Sequence, residues 1–529
     1  MELYGRSLIG FDVAPEGGKT FRAYNPREGK ALEPPFHEAG QSEVQRAMEL
    51  AGRAAPTFAA RAPEDVAAFL LAIREEILGL GEELIVKADE ETALGVDRLR
   101  GERDRTVSQI RMFADIVLEG SWVDARIDTA APDRKPVPKP DIRRLLQPIG
   151  PVAVFGASNF PLAFSVAGGD TASALAARNP VVVKAHPAHP GTSELVGTAI
   201  VRAAKAKDMP EGTFSMLHSL GTEASIALVT HPQTRAVAFT GSLRAGRALF
   251  DAGASRPDPI PVYAEMGSVN PVFVFPGALR ENVQGIAEGL YRSVLLGVGQ
   301  FCTCPGLVFG IESEAFRALL QKLEQMFENG APGAMLNPAI SKGYAERFKA
   351  AAAVAGVGTT ISTRSGGPES TEGRPGLLTT DAGTWLKNKQ LHEEIFGPAT
   401  VAVACASDAD LERCAAALEG SLTATVHGAE DELREHAELV RILAVKAGRL
   451  IFNGYPTGVE VGYAMQHGGP YPATTDAKFT SVGAAAIYRF ARPVCYQNFP
   501  EQLLPAELQN ANPRQIWRTV NGQFTRGSL

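Results

Sequence analysis

Two cysteines, Cys302 and Cys304, stand one residue apart in the glycine-rich segment GVGQFCTCPG. Two thiols at this spacing are compatible with part of a metal site, with a redox pair, or with one nucleophile beside an incidental neighbour. A zinc site normally takes four ligands, often from C-x2–4-C pairs. The remaining cysteines stand singly, and no H-x3–5-H pair of histidines lies near a cysteine pair. The sequence therefore predicts no metal centre.

The segment around Cys302 has features that suit a nucleophile. A helical pattern leads into a glycine-rich loop, which would let a substrate approach the thiol closely. A nucleophilic cysteine also needs a base or backbone dipoles nearby. A redox pair is less consistent with the sequence because no strand–C-x-x-C–helix pattern surrounds it. A small buried thiol, which composition alone favours, stays as the alternative.

Two isolated polar residues could complete such a site. Glu265 lies in the turn YAEMGS, and Asn159 lies in ASNFP. In carbonyl chemistry a cysteine adds to the carbonyl carbon, an amide holds the oxyanion and a carboxylate activates water. Taken singly, a capping carboxylate and a turn-forming asparagine explain these two residues equally well.

These residues must be positioned by a chain that alternates strands and helices after residue 150. Three apolar runs, PVAVFGAS, NPVVVKAHP and RAVAFTGS, are separated by helical patterns near 167–178 and 193–204. Such alternation predicts βαβ units and a parallel sheet, which binds ligands at the carboxyl ends of its strands. Residues 42–119 read as helices, and a long helix is expected over 283–297.

The carboxyl ends of these runs carry candidate cofactor residues. Lys184 ends the second run, where a cation can reach a ribose or a phosphate, and Gly241 and Ser242 form the turn after the third. No G-x-G-x-x-G follows any of the runs, but a helix N-terminus at Ser242 could still approach a pyrophosphate. A solvated lysine and an ordinary Gly-Ser turn remain the alternatives.

The composition bounds the class of protein. The 529 residues are 45% hydrophobic and 21% charged, with a formal net charge of −7, which argues against nucleic acid as a general partner. Five cysteines argue against a disulfide scaffold. We see neither a signal peptide nor an apolar run long enough to span a bilayer. A cytoplasmic protein without membrane contact is expected.

Seven motifs together resemble those of the aldehyde dehydrogenase superfamily, and they occur in that family's order. They are ASNFP, VVVKAHPA, FTGS, EMGS, GQFCT, EEIFGP and FNGYPTGVEV. A finer resemblance, carried for example by GGPYPATTD, is to bacterial dehydrogenases of α-ketoglutaric semialdehyde. Bacterial NADP-linked fatty aldehyde dehydrogenases look similar in the same stretches.

The resemblance implies an α/β fold in three parts. A Rossmann-type cofactor domain would comprise residues 1–119 and 141–264, and an α/β catalytic domain would comprise residues 265–466. Residues 120–140 and 480–500 would form a small β-arm used in oligomers. A homodimer or a homotetramer is expected.

The resemblance also implies a covalent mechanism. Cys302 would attack the aldehyde, the amide of Asn159 and the backbone N–H of Cys302 would stabilise the oxyanion, and Glu265 would activate the water that hydrolyses the thioester. The family assigns no role to Cys304. We hypothesise that Cys304 either packs as a small residue or traps Cys302 as a disulfide under oxidation.

The cofactor implied by the resemblance is NADP or NAD. Lys184 and Glu394 would hold its ribose hydroxyls, Gly241 and Ser242 would approach its pyrophosphate, and Phe396 would pack near the nicotinamide. Many members have a glutamate three residues after the strand-end lysine, where this chain has Pro187. Without that carboxylate a 2′-phosphate is not repelled, so NADP acceptance is expected.

The substrate residues are less clearly marked. Some semialdehyde dehydrogenases carry an arginine eight residues after the asparagine, where this chain has Ala167. We hypothesise that Arg292 anchors a substrate carboxylate and that Phe164 lines the tunnel. A salt-bridged arginine and a core phenylalanine are the alternatives. For the whole chain, the alternatives are a dehydrogenase of aliphatic or other aldehydes, an enzyme that passes the acyl group to coenzyme A, and a non-catalytic homologue.

Overall fold

The computed structural model describes residues 3–529, and two seven-stranded sheets dominate it. The first sheet has, in spatial order, the strands Val262–Glu265, Ala236–Thr240, Val152–Phe155, Val181–Lys184, Phe214–Leu217, Leu8–Ile9 and Asp12–Val13. The second has Gly358–Ile361, Gly376–Asp381, Ala399–Cys405, Leu307–Ile311, Val272–Val274, Ser421–His427 and Ala447–Phe452. Most neighbours within each sheet are parallel, so the predicted α/β class is confirmed.

Helices cover the sheets and connect their strands. The α-helices are Gln41–Ala59, Pro63–Gly79, Gly81–Thr92, Val96–Glu119, Gly169–Ala176, Pro190–Ala206, Glu223–Thr230, Leu243–Ala254, Pro276–Leu295, Glu314–Glu328, Pro338–Ala352, Ala382–Lys387, Asp408–Ala417, Glu430–Glu435 and Ala437–Lys446. Short 3-10 helices are Ser121–Val123, Leu296–Gly299, Lys389–Leu391, Ala484–Phe490, Glu501–Leu503 and Ala506–Leu508. Within residues 3–529, none of these helices is long and apolar enough to cross a membrane.

Alternating side chains explain why the central strands of the first sheet are almost wholly apolar. Val152 and Val154 pack into a core on one face of the sheet, whereas Ala153 and Phe155 pack into a separate core on the other face. Successive side chains of a strand point to opposite faces, and a parallel sheet is covered on both. The strand-end residues, among them Lys184 and Glu265, therefore lie together at the carboxyl edge of the sheet.

The helix that leads toward Cys302 is longer than the predicted 283–297. It runs over Pro276–Leu295 and begins at a proline, which fits the first turn because its missing N–H would have no helical partner. Asn282 interrupts it with φ −152° and ψ 61°. The chain leaves it through the 3-10 turn Leu296–Gly299, which ends three residues before Cys302.

A third, five-stranded sheet extends from the body of the molecule. Its strands are, in order, Ala491–Gln497, Ile142–Pro148, Arg126–Asp128, Arg518–Val520 and Gln523–Thr525. Within the predicted arm segment 480–500, residues Ala484–Phe490 form a 3-10 helix and only Ala491–Gln497 form a strand. The last two strands, Arg518–Val520 and Gln523–Thr525, lie beyond the predicted arm. The division into domains stays a prediction.

Candidate active site

The loop that holds Cys302 depends on backbone conformations that favour glycine. Gly297, Val298 and Gly299 all have φ between 57° and 68°. A Cβ atom on Gly299 would come within 2.1 Å of the backbone carbonyl of Gly397. The glycines of GVGQFCT and EEIFGP therefore allow two backbones to pack directly against each other. This contact fixes the entry to the cysteine loop.

Asn270 holds the other side of the cysteine loop. Its side-chain Nδ2 donates to the carbonyl oxygens of Cys302 at 2.8 Å and Cys304 at 3.0 Å. Its Oδ1 accepts from the hydroxyls of Ser268 and Thr423. Asn270 is completely buried, so water cannot reach its amide group and these hydrogen bonds satisfy it instead. Ser268, which replaces a glycine found in many family members, is thus part of the support for the loop.

Three reactive side chains meet at the carboxyl edge of the first sheet. Nε2 of His467 lies 3.5 Å from Sγ of Cys302 and 3.0 Å from Oε1 of Glu265. The hydroxyl of Ser481 donates to the other oxygen of the same carboxylate. An ionised carboxylate only accepts, so Nε2 of His467 carries the hydrogen and Glu265 and Cys302 share it. The cluster is a cysteine, a histidine and a glutamate in mutual contact.

The environment raises the pKa of Cys302 and lowers that of Glu265. Burial raises the pKa of Cys302 well above its usual range, and the neighbouring Glu265 carboxylate raises it further, while Arg105 opposes them. Burial alone would also raise the pKa of Glu265, but the interactions with His467 and Ser481 outweigh it and the pKa is lowered. The geometry thus favours an ionised base beside a protonated thiol.

Asn159 lies beside the same loop. Its side-chain Nδ2 donates to the carbonyl of Gln300 at 2.9 Å, two residues before Cys302. Its own backbone carbonyl accepts from Nη2 of Arg98 at 2.7 Å. The amide has a second N–H, which leaves a donor free for a developing oxyanion.

A compact cavity of about 220 Å³ opens onto Cys302. Its lining includes Cys302, Thr303 and a set of aromatic and cationic side chains, namely Arg98, Arg105, Phe160, Phe164 and Phe301. The sequence prediction that Phe164 lies near Cys302 agrees with this lining; its ring centroid is also 6.2 Å from that of His467. A concave site with aromatic walls and a few polar groups is typical of a small-molecule site.

The predicted anchor Arg292 lies elsewhere. Its side chain is 80% exposed and pairs with Glu288 at 3.5 Å, and it does not line the cavity. Within the helix Pro276–Leu295, Arg292 therefore lies on the solvent-facing side, one turn after Glu288. Cys304 also points away, since its Sγ donates to the carbonyl of Val294 within a hydrophobic core.

Two of the predicted cofactor residues, Lys184 and Ser242, lie at or just after the carboxyl ends of strands in the first sheet. Lys184 ends its strand beside Phe155 and Leu217, and burial lowers its pKa to about 8 although Glu38 opposes the shift. Ser242 is the exposed N-cap of the helix Leu243–Ala254, and its hydroxyl accepts from the N–H of Ala245.

Glu394 and Phe396 come from the second half of the chain. Both are partly exposed, and burial raises the pKa of Glu394 to about 7. A Cβ atom on Gly267 would lie 2.4 Å from Oε2 of Glu394, so the glycine of EMGS is needed for this carboxylate to approach. Glu394 therefore lies next to the turn that follows Glu265.

Sequence reasoning missed His467, Asn270, Ser481, Arg98 and Arg105. His467 lies 165 residues from Cys302 and 202 from Glu265, so no spacing pattern joins them. The ligand atoms of Glu265, Cys302 and His467 lie within 4.8 Å of one another and could hold a metal ion, although the sequence predicts no metal centre. The arginines lie in VDRLRGERDR, which reads as a solvated helix face.

Comparisons with known proteins give the family of the chain. The family model for the aldehyde dehydrogenase family matches residues 13–477. The chain is 47% identical over 524 residues to alpha-ketoglutaric semialdehyde dehydrogenase 2 of Azospirillum brasilense, covering 99% of this chain and 100% of that protein. It is 43% identical to alpha-ketoglutaric semialdehyde dehydrogenase of Acinetobacter baylyi, covering 99% of each.

A solved structure shares the fold at lower identity. The 1-pyrroline-5-carboxylate dehydrogenase from Thermus with bound NAD superposes with a TM-score of 0.79 at 21% identity, covering 93% of this chain and 92% of that chain. The family match, the full-length relatives and the cysteine site all lead to one assignment. The chain belongs to the aldehyde dehydrogenase family and is an enzyme that oxidises an aldehyde.

Proposed function

We propose that the enzyme oxidises α-ketoglutaric semialdehyde to α-ketoglutarate with NADP or NAD, through a covalent intermediate on Cys302. The observation that carries the proposal is the contact of Cys302 and Glu265 with one nitrogen of His467. The choice of substrate is supported by the two full-length relatives that carry this activity in their names.

The first step forms a thiohemiacetal. The Cys302 thiol loses its proton to the Glu265 carboxylate, and the resulting thiolate adds to the aldehyde carbon. The N–H of His467 is placed to stabilise the thiolate as it forms, since a hydrogen bond to the charged form favours ionisation. The free N–H of Asn159 and the backbone N–H of Cys302 stabilise the oxyanion.

The second step turns the thiohemiacetal into a thioester. A bound nicotinamide would supply the hydride acceptor for the former aldehyde carbon. The protein's part is to orient that carbon and to keep water away until the hydride has left. The aromatic walls contributed by Phe160, Phe164 and Phe301 serve both purposes.

The third step is hydrolysis. Glu265, after releasing its proton to solvent, removes a proton from a water molecule that attacks the thioester carbonyl. Its lowered pKa keeps it ionised for this task. The hydrogen bonds from His467 and Ser481 hold both carboxylate oxygens and set the direction of the base. A well-placed base favours hydrolysis over transfer to coenzyme A.

The cofactor proposal rests on the edge of the first sheet. The exposed N-cap at Ser242 leaves the start of a twelve-residue helix open to a pyrophosphate. Lys184, at the end of a strand of the same sheet, would hold ribose hydroxyls of the cofactor. Pro187 brings no carboxylate that would repel a 2′-phosphate. NADP acceptance follows, with Glu394 and Phe396 on the nicotinamide side.

We also propose that the chain divides into the three parts given above and that it assembles as a homodimer or a homotetramer. Large apolar side chains are exposed on and next to the five-stranded sheet, including Phe499, Leu503 and Phe524. Pairing of these surfaces between subunits would bury them.

The proposed function is tested by following cofactor reduction with α-ketoglutaric semialdehyde. NADP and NAD are compared, with pentanal as the uncharged aldehyde, in the presence and absence of coenzyme A. We expect reduction that needs the semialdehyde and is independent of coenzyme A, with α-ketoglutarate as product. A strict requirement for coenzyme A, or turnover of pentanal alone, would contradict the proposal.

A further inference from the structure

We propose that Arg105, backed by Arg98, is the binding site for the substrate carboxylate at the end remote from the aldehyde. This inference rests on the proposed function. Both arginines lie on the helix Val96–Glu119, seven residues apart and therefore on one helical face. Both line the cavity that contains Cys302.

Arg105 presents an unused edge of its guanidinium. Its Nε and Nη2 atoms are buried and form no hydrogen bond with any atom of residues 3–529. These two nitrogens lie on the same edge of the planar group, which is the geometry that grips both oxygens of a carboxylate. Two buried donors without partners are costly unless a ligand accepts from them.

Aromatic rings hold this guanidinium in place. The Cζ atom of Arg105 lies 5.3 Å from the centroid of Phe164 and 5.9 Å from that of Phe160. Stacking on rings restrains a long side chain, so little freedom is lost when an anion binds. The guanidinium is therefore pre-organised rather than free to search solvent.

Arg98 is already engaged and supports the site from behind. It donates to the carbonyl of Asn159 and stacks on Phe301, with Cζ 4.7 Å from the ring centroid. Its Nη1 is buried and, in the part of the chain that the structure describes, has no hydrogen-bond partner. Arg98 thus adds a second positive charge to the cavity and ties it to the loop before Cys302.

The protein does not neutralise this pair by direct contact. Glu102 lies between them on the same helical face and also lines the cavity, and its Oε1 accepts from the backbone N–H groups of Leu162 and Ala163. It attracts both arginines electrostatically, but burial raises the pKa of Glu102, which weakens it as a counter-ion. Two guanidinium groups and one such carboxyl group leave the lining with a net positive charge, which is complementary to an anion.

The consequence is a preference for aldehydes that carry a carboxylate. A semialdehyde of a short dicarboxylic acid can place its aldehyde at Cys302 and its carboxylate at Arg105. A plain aliphatic aldehyde would bury its methyl end against two desolvated guanidinium groups, which is unfavourable. The anchor therefore favours the semialdehyde over the fatty aldehyde reading of the sequence.

The test compares Arg105→Leu, Arg105→Lys and Arg111→Leu. Arg111 lies on the same helix, is 62% exposed and pairs with Asp115, so it is the matched control. With α-ketoglutaric semialdehyde we expect Arg105→Leu to raise KM about 10–100-fold, the loss of a charge-assisted hydrogen-bonded pair. Arg105→Lys should recover part of the loss, because it keeps the charge without the fork. Arg105 also opposes the rise in the pKa of Cys302, so pentanal oxidation should slow as well, but by a clearly smaller factor than the loss in kcat/KM with the semialdehyde.

Equal losses with α-ketoglutaric semialdehyde and pentanal would overturn the anchor, as would an unchanged KM for the semialdehyde. Unfolding of Arg105→Leu is checked by its melting curve, and Arg105→Lys then serves as the test variant. A large loss with Arg111→Leu would also count against the assignment.

A second measurement does not depend on which aldehyde is the natural substrate. The binding of α-ketoglutarate to the resting enzyme is followed by calorimetry in the wild type and in Arg105→Leu. Binding that is lost only in Arg105→Leu supports the anchor even when the wild type does not oxidise the semialdehyde, in which case the proposed function alone fails. Equal binding in both, or none in the wild type, overturns the anchor.

Discussion

The Nε2 atom of His467 lies 3.5 Å from the Sγ atom of Cys302, and the two residues are 165 positions apart in the chain. The same nitrogen is 3.0 Å from the Glu265 carboxylate. One N–H is thus shared between the proposed nucleophile and the proposed base. The mechanism derived above depends on this shared hydrogen bond.

Replacing His467 by phenylalanine should slow the first step without removing the site. The thiolate loses a hydrogen-bond donor, and a hydrogen bond to a charged group contributes about 1.5–3 kcal/mol. We expect kcat/KM to fall about 10–100-fold and the alkylation of Cys302 by iodoacetamide at pH 7 to slow. The control is His37→Gln, because His37 contacts the carbonyl of Gly17 and does not line the cavity. Unchanged alkylation in His467→Phe would show that the contact is not used.

The pH dependence of alkylation tests the role of Glu265. Burial and the carboxylate both raise the pKa of Cys302, so alkylation should be slow at neutral pH and rise as the pH increases. Glu265→Gln removes the negative neighbour, so the whole curve should move to lower pH. At the same time steady-state turnover should fall at least 100-fold because hydrolysis loses its base. A curve that stays in place in Glu265→Gln would remove the electrostatic link.

Asn270→Ala should destabilise the protein and lower its activity together. The substitution leaves the carbonyls of Cys302 and Cys304 without their donor and puts alanine at φ 43°. We expect a loss of about 3 kcal/mol in the free energy of unfolding, measured by denaturant titration. Ser268→Gly removes a hydroxyl that accepts from the N–H of Leu422 and donates to Oδ1 of Asn270, which keeps a second donor in Thr423, so a smaller loss of about 1–2 kcal/mol is expected. The reverse order would contradict the account of the loop.

Cofactor affinity should depend on pH through Lys184. Burial lowers the pKa of this lysine to about 8, so it is charged below pH 8 and loses its charge above. NADP binding to the resting enzyme, followed by calorimetry from pH 6.5 to 9.5, should therefore weaken above about pH 8. Lys184→Met should bind weakly at every pH with a flatter profile. An equally steep profile in the variant would assign the pH effect to another group.

Much of the fold follows from patterns that the sequence displays. The strands that end at Phe155, Lys184 and Thr240 are short apolar runs between helical stretches, because a sheet covered on both faces needs apolar side chains on both. The last two strands, over 518–525, were not predicted because they follow a proline-rich stretch and add to a sheet formed by distant residues.

Some residues of the candidate site could be predicted from the sequence and others could not. Cys302 and Glu265 stand in glycine-containing turns that local sequence marks, and Gly299 has its role because a backbone packs against it. No nearby sequence pattern identifies His467 or Arg105 as functional. A lone histidine and an arginine on a helix become part of a site only because the fold brings them close to Cys302. Arg292 shows the converse, since its spacing suggested an anchor but its side chain is exposed to solvent and pairs with Glu288.

The central claim is that Cys302 carries the acyl group and Glu265 releases it. Because Glu265→Gln also lacks the base of the first step, its intact mass is measured after incubation with α-ketoglutaric semialdehyde and NADP at about pH 9, where the Cys302 thiol, freed of the carboxylate that raises its pKa, ionises into solvent. We predict one added acyl group per subunit on a peptide that contains Cys302, formed together with one equivalent of reduced cofactor, and no such adduct in Cys302→Ser. Cofactor reduction without an adduct at Cys302, or normal turnover by Cys302→Ser, would contradict the account.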